Sequence, residues 1–586
     1  MGRFNLLDEP WIAVAEGDGG EKKEVSMLEL FRNAQHYQKL AGEMETQNFA
    51  VLRLLLSVLQ TVFSRYDFGG SILPGIILDE DGIQTEPLDT DETDDVNDFR
   101  ESVYDCWEQM YVSGQFPNVL FTYLEKWRDH FYLFDDQHPF YQVTKQEMDE
   151  LLKISKKGKP TTIYGRNLNR TISESENKAA LFSPIADRKI EKRSSKDVLS
   201  ASEFVRWMVM FQGYSGLADK VSLTGSNQRP SKGWLFDIGG IYIQGDNLFE
   251  TLLLNYIPVM PGSKEYCGRV QKPCWEAKGL TVVNRLCKGE SIDNLAELYT
   301  NWSRAVYVDP GTDISKPIQM NIIKVPEIDH SEHSIEPMTI WASYKSGRDK
   351  TNGFSPRKHK PFQSLWRSFG MIAGNSFAKV TTRQPGVIEH YQEKLSRITN
   401  TRWVNLNGIS MQDDGNATSW LPIDEIYDSF QVNSLVVSDK DKDGWVQRIT
   451  DTVEKTNFIA SVIFREYLRG ICDIRGLDLE KDTWAKGFIN NETSLLYSVI
   501  DSEFKSWLSS LNPTDNKEDS IRSWYGSLRK LVLHQGEMLF ENSTARDLIG
   551  KKNEESEFDN IATVYWKFVS SVTSALGKGG QKVEQR

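Results

Sequence analysis

The sequence reads as an α+β protein, a large mixed N-terminal domain followed by a C-terminal four-helix bundle. Three observations predict this. At 586 residues the chain exceeds what one ordinary core accommodates. Before Asp439, short β-patterned runs separated by Gly, Asn and Asp turns alternate with helical stretches. After Asp439 the pattern is wholly helical: Trp445–Cys472, Trp484–Leu511, Ile521–Phe540 and Phe558–Leu576 carry apolar residues at helical spacing, with Gly476, Pro513 and a charged run from Lys551 to Glu557 between them. Four amphipathic helices with short links form a bundle. The polar segment Ser438–Gly444, SDKDKDG, reads as the hinge, which sets the domains at residues 1–438 and 439–586.

Phe4–Val14 reads as a strand broken by Pro10. With Glu24–Met27 it predicts a hairpin, and Ser26 is placed to cap a helix over Met27–Asn33. Phe49, Leu52, Leu55, Leu56 and Leu59 mark a core helix within Thr46–Arg65. Asp79–Arg100 holds ten acidic residues against one basic and reads as a solvated, partly mobile insertion. Helices resume at Ser102–Val112 and Pro117–Asp129.

The sign of the charge then reverses. Lys153–Lys196 holds twelve basic residues against four acidic ones and has little apolar periodicity. A long basic loop in an acidic chain is either a phosphate-backbone contact or a solvated loop, and Phe182 is the aromatic in its middle. Tyr214–Asn255 begins as a Gly-rich loop. It continues as two short strands about Gly239-Gly240 within Trp234–Ile243, and ends in a helix capped by Asp246 or Asn247. A second basic cluster, KSGRDKTNGFSPRKHK over Lys345–Lys360, is rich in turn residues; Phe362–Phe369 reads as a helix ending at Gly370. Thr401–Asp424 reads as strand, turn, strand, with Asp414-Gly415-Asn416 as the turn and Gln412, Asp413 and Asn416 at its tip.

The net charge of -14 argues against a uniformly basic nucleic-acid binder but leaves local patches open. There is no apolar run of membrane-spanning length and no signal-peptide core, and five scattered cysteines fit a reducing cytoplasm, so a cytoplasmic location and no membrane partner are expected. No P-loop, nucleophile elbow or zinc-protease motif occurs, and the eight histidines are dispersed. His138 precedes Pro139, and an acid/base pair of His138 with Asp135 or Asp136 is the enzymatic alternative.

Four stretches in order, FNLLDEPWIAV (Phe4–Val14), VLRLLLSVL (Val51–Leu59), HPFYQ (His138–Gln142) and GDNLFETLLLN (Gly245–Asn255), followed by a helical bundle, resemble the CasA family, the large subunit of the type I-E CRISPR surveillance complex Cascade. The resemblance spans nearly the whole chain. It implies a non-catalytic subunit without cofactor that reads a protospacer-adjacent motif (PAM) on double-stranded target DNA and helps open the duplex. It implies further that the chain joins the other Cascade subunits and later recruits a helicase-nuclease. Base pairing reads the target while protein reads the PAM. The family uses a glycine-rich loop, a lysine and a glutamine-tipped wedge hairpin in the minor groove, whose degenerate pattern suits a promiscuous PAM. Carried over, these fall on Gly213, Ser215, Gly216 and Leu217; on Lys345 with Lys350 in reserve; and on Gln412, Asp413 and Asn416. Asp413 aligns with the glutamine, and Gln412 beside it is favoured because an acid is ill suited to phosphates. The family's mobile loop, which meets the guide-RNA end, falls on Phe182, Ser183, Arg188 and Lys189. Some members hold a four-cysteine metal site; Cys267, Cys274 and Cys287 do not reproduce it, so no metal is expected. A scaffold whose basic loops touch only partner subunits is the remaining alternative.

Overall fold

The computed structural model describes residues 2–577 apart from 18, 156–157, 175–196, 218–222, 224–231, 262–266, 329–334, 347–350, 375–381, 400–401, 417–419 and 553–557; for 344–346, 351–352 and 397 it describes the backbone alone. The chain divides into two compact units. One comprises Met1–Pro361, Val380–Asn400 and Leu406–Asp428, and the other Phe362–Lys379, Thr401–Asn405 and Ser429–Arg586.

The first unit is assembled from small sheets around one buried helix. Ile12–Glu16 pairs antiparallel with Glu21–Val25 and Tyr37–Leu40, and Ser26 caps Met27–Asn33 as its sequence predicts. The core helix spans Glu45–Val62, and every residue from Thr46 onward is buried, Arg53 included. The sequence pattern shows only one apolar face; most of the polar remainder is buried because its groups find partners. Arg53 makes two 2.7 Å bonds to Glu336, while Glu425 accepts the Thr46 amide at 3.0 Å and the Thr46 hydroxyl at 2.9 Å, supplying a carboxylate at the helix N-terminus. Arg206, on the helix Ala201–Tyr214, bonds the Trp11 carbonyl at 2.7 Å and pairs with Glu24 and Glu43, which clamps that helix to the N-terminal sheet.

The four stretches that carry the family resemblance serve as framework. The Trp11 indole donates to the Leu6 carbonyl, the Gln142 amide to Leu133 and the Asn255 amide to Ile243, while Asn247 caps Leu248–Asn255.

Several expectations are corrected. Trp234–Asp237 is a 3-10 turn and only Gly240–Gln244 is a strand, because Trp234, Leu235 and Phe236 all turn into the core. The acidic stretch is not wholly solvated: from Thr93 it is the start of the helix Thr93–Ser113, whose Val96 and Phe99 pack with Leu73, Ile76, Leu88 and Cys267. Within Lys153–Lys196, Thr161–Tyr164 is a strand paired with Gln319–Lys324, and Gly165–Asn169 is a helical turn. The second basic cluster is partly strand: Trp341–Ser346 pairs with Thr351–Pro356, so Asn352-Gly353 lies within a strand and not at a turn.

In the second unit, helix Trp445–Ile474 includes a π-helical turn at Ile459–Ile463. It packs on Thr483–Ser510, which packs on Lys517–Glu541, then Ile561–Leu576, which returns to the first. This closed ring is the four-helix bundle. Trp366, Phe504 and Trp524 fill one end, with the first two rings 4.1 Å apart, and Phe464, Tyr467 and Phe568 fill the other. Trp366 comes from Leu365–Ser368, a 3-10 turn followed by a short helix, Phe369–Ala373, which stops at Gly374 instead of Gly370. Asp439, in the segment read as a hinge, accepts the Trp445 amide at 2.9 Å and the Lys517 ammonium at 2.8 Å, and so caps the first bundle helix.

Candidate nucleic-acid interface

Three sequence-predicted pieces meet at the segment Lys232–Gly240 of the first unit. The glycine segment leaves the helix Ala201–Tyr214, and its backbone is held residue by residue. The Ser215 carbonyl accepts the Gly233 amide at 2.9 Å, and the Ser215 hydroxyl shares a 2.9 Å bond with Ser303. The Gly216 carbonyl accepts the Arg304 guanidinium at 2.8 Å, and the Leu217 carbonyl accepts the Lys324 ammonium at 2.7 Å. Arg304 is itself paired with Glu174, both fully buried. Glycine is required at two places here: a Cβ on Gly216 would overlap the Trp420 carbonyl, and one on Gly233 would overlap the Gly213 carbonyl.

Trp420 belongs to the second piece, the hairpin of Trp403–Asp413 and Pro422–Asn433, whose first strand also pairs with Gly240–Gln244. The Asp413 carboxylate accepts the Gly415 amide at 3.0 Å, and the Asp414 carboxylate accepts the amides of Asn416 and Leu421, both at 3.1 Å. The two acids therefore shape the tip. Gln412 is half-buried at the end of its strand, Gly415 and Asn416 are exposed, and Trp420 adopts a left-handed backbone with φ of 42°.

The third piece is the hairpin carrying Lys345, whose backbone pairs with Asn352. Its base is fixed twice. The Arg357 amide bonds Ile340, and the Gly239 carbonyl accepts the Thr339 hydroxyl. Glu336 accepts Arg53 bidentately, the Trp234 indole at 2.7 Å and the Met338 amide at 3.0 Å, and its carbonyl accepts the Trp341 indole. Burial alone would push the Glu336 carboxyl up, but the Arg53 charge and these bonds outweigh it and hold the group below the ordinary carboxylate range. Lys350, Phe182, Ser183, Arg188 and Lys189 lie outside the described residues, as does the lysine hairpin's turn.

Two cations that the sequence reading did not single out flank the hairpin tip. Lys358 lies 4.3 Å from the centre of the Phe236 ring and 2.9 Å from Asp413; Lys232 lies 5.4 Å from the Trp420 ring and pairs with Asp237. Both sit in segments rich in Lys and Gly, but the register that brings them to aromatic faces comes from contacts distant in sequence.

The enzymatic alternative finds little support in the geometry around His138. Asp135 spends its carboxylate oxygen on the amides of Gln137 and His138, and the His138 ring stacks on His130 at 4.1 Å. Burial, and then the neighbouring His138, lower the pKa of His130. Cys267 and Cys274 are buried, and burial pushes the Cys274 thiol up to about 12; no cluster of three metal-ligating side chains occurs among the described residues. Among those residues no helix is long and apolar enough to cross a membrane.

Comparison with known proteins places the chain in a family. Residues 5–535 match the family model described as CRISPR-associated protein Cse1. A CRISPR-associated protein CasA/Cse1 of Thermus thermophilus is 26% identical over 282 residues, which span 47% of this chain and 43% of that protein's length. The crystal structure of Thermobifida fusca Cse1 superposes with a TM-score of 0.71 at 19% identity, covering 98% of both chains. A chain of a CRISPR RNA-guided surveillance complex superposes at 0.64 with 14% identity, covering 98% of this chain and 100% of that one. A match over nearly the whole length, with the same fold throughout, shows that the chain belongs to the CRISPR-associated Cse1 family.

Proposed function

We propose that this chain is the non-catalytic large subunit of an RNA-guided CRISPR interference complex, and that its first unit reads the PAM on double-stranded DNA. It helps to open the duplex there and afterwards recruits the helicase-nuclease. The observation that carries this reading is the meeting of three pieces at Lys232–Gly240: a backbone-held glycine segment, the base of a lysine-bearing hairpin, and a hairpin tip flanked by two cations. Backbone stripped of side chains can enter a minor groove, a cation tracks the phosphates, and a hairpin tip can replace stacking between base pairs. In this arrangement Lys345 and Gln412 act on the DNA, with the half-buried Gly213 and Leu217 as the backbone nearest the groove, the buried Ser215 and Gly216 fixing that backbone in place, and Asn416 at the tip. The loop bearing Phe182, Ser183, Arg188 and Lys189 meets the guide-RNA end.

The test uses a guide-loaded complex lacking its large subunit, to which this chain is added. Affinity for matched duplexes with and without candidate PAMs is measured at two salt concentrations. PAM-dependent tightening is expected, and Lys345→Gln and Gln412→Ala should each abolish most of it while assembly persists. Stable incorporation without PAM preference would mean a scaffold subunit; no incorporation would overturn the reading altogether.

A further inference from the structure

We propose that Lys358 is a phosphate contact held in reserve by Asp413, so that the wedge hairpin carries its own competitor for the DNA backbone. This rests on the DNA-reading role proposed above and adds a residue and a mode of control to it.

The Lys358 ammonium is fixed from two sides, over the Phe236 ring at 4.3 Å and against the Asp413 carboxylate at 2.9 Å. The first contact aims the cation and leaves its charge intact. The second neutralises it. The pair is not sealed in the core: its side chains are 25% and 20% exposed, so a phosphate oxygen can reach the ammonium from solvent. Partly solvated pairs of this kind are weak, whereas a phosphate contact on duplex DNA also releases condensed counterions. Exchange of carboxylate for phosphate is therefore favourable on DNA and unfavourable in its absence.

Asp413 has a second task that keeps it in place, since its other oxygen accepts the Gly415 amide and shapes the tip. The acid cannot swing away from the hairpin; it can only yield the ammonium. A phosphate arriving at Lys358 then stands directly beside the residues proposed to wedge the base pairs. The arrangement suppresses binding of DNA that meets only this patch, and lets go where the rest of the interface holds the duplex.

Asp413→Asn tests this, because the amide retains an oxygen for the Gly415 amide while removing the negative charge that neutralises Lys358. Complexes reconstituted with the wild-type chain, Asp413→Asn, Lys358→Gln and the double variant are titrated with PAM-bearing and PAM-less duplexes over a salt series. Asp413→Asn should tighten both duplexes by about two- to five-fold at low salt. Lys358→Gln should lower the slope of log K against log salt by about one. The double variant should match Lys358→Gln alone, and Lys358→Arg should keep the wild-type slope. Thermal melting of each reconstituted complex checks that the hairpin is intact. Asp413→Asn binding no tighter than wild type would overturn the proposal. So would a double variant that keeps the gain, since Asp413 would then act by plain repulsion and not through Lys358. A wild-type complex with no PAM dependence would overturn the underlying reading instead, an outcome read on the wild-type chain before any variant is compared.

Discussion

Replacing Arg53 or Glu336 should expose how the base of the lysine hairpin is secured. Both side chains are essentially unexposed, at 1% and 0%, and they meet in two parallel 2.7 Å bonds. Arg53→Met leaves a buried carboxylate with only the Trp234 and Met338 donors; Glu336→Met leaves a buried guanidinium over the Tyr299 ring and two donors without an acceptor. Removing one partner of such a pair costs about 3–5 kcal/mol. For a unit of about 400 residues, unfolding entropy near 2.1 cal/mol/K per residue converts that to a lowering of its melting temperature by about 4–6 °C. The double variant removes the lone charge but leaves the Trp234 and Met338 donors unmet, at about 1–2 kcal/mol each. The two substitutions should therefore be less than additive by at least ~2 kcal/mol. Calorimetry of the isolated chain, fitted as two transitions, measures all four corners of the cycle. Additivity to within about 0.5 kcal/mol, or a single substitution costing under about 1 kcal/mol, would refute the claim that the pair is a buried, mutually dependent anchor.

Three further outcomes are expected. His390 is buried against Tyr104 and has no partner for either ring nitrogen among the described residues; burial, and then the Lys394 charge, push its pKa down to about 3. Its contribution is thus undiminished above the unfolded value near 6.5 and falls by ~1.4 kcal/mol per pH unit as the pH drops from there towards 3. His390→Phe should remove that slope from the difference between urea titrations at pH 7 and pH 5. Within the bundle, Gly536→Ala would drive a methyl into the Phe568 ring and should destabilise by about 1–3 kcal/mol, whereas Gly487→Ala and Gly526→Ala, which meet nothing within 4 Å, should stabilise by about 0.5–1 kcal/mol in denaturant melts. Gly216→Ala, with its methyl against the Trp420 carbonyl, should abolish PAM-dependent binding while the chain still joins the complex, as read by gel shift and size exclusion.

What the sequence makes legible follows from the range of the interaction. The bundle helices, the Ser26 cap, a cap at Asp246 or Asn247 and the hairpin read over Thr401–Asp424 rest on periodicity, caps and a turn signal that act within a few residues, whereas the run of its second strand on to Asn433 does not. Trp234–Asp237 misleads because its three consecutive apolar residues serve a buried 3-10 turn, and Thr93–Arg100 because its acids hide the two apolar positions that matter. The lysine and glycine stretches of the candidate interface are visible as chemistry. Yet the contact of Gly216 with Trp420 and that of Lys358 with Asp413 depend on how distant segments pack, which composition does not encode. Lys358 stands in plain sight in its basic cluster with nothing local to set it apart from its neighbours.

The buried Arg53–Glu336 pair also sets a clock on biosynthesis. Its members lie 283 residues apart, so at about 5–20 residues per second the guanidinium emerges some 15–60 s before its carboxylate. Through that interval the core helix Glu45–Val62 carries an unanswered charge and cannot complete its packing. The Gly216 turn must wait similarly for Trp420. The helices of the bundle, by contrast, find their partners soon after they emerge. The first unit is therefore the part of the nascent chain that most needs shelter on the ribosome, and slowing translation between Arg53 and Glu336 should lower the yield of soluble protein far more than an equal delay within Trp445–Leu576.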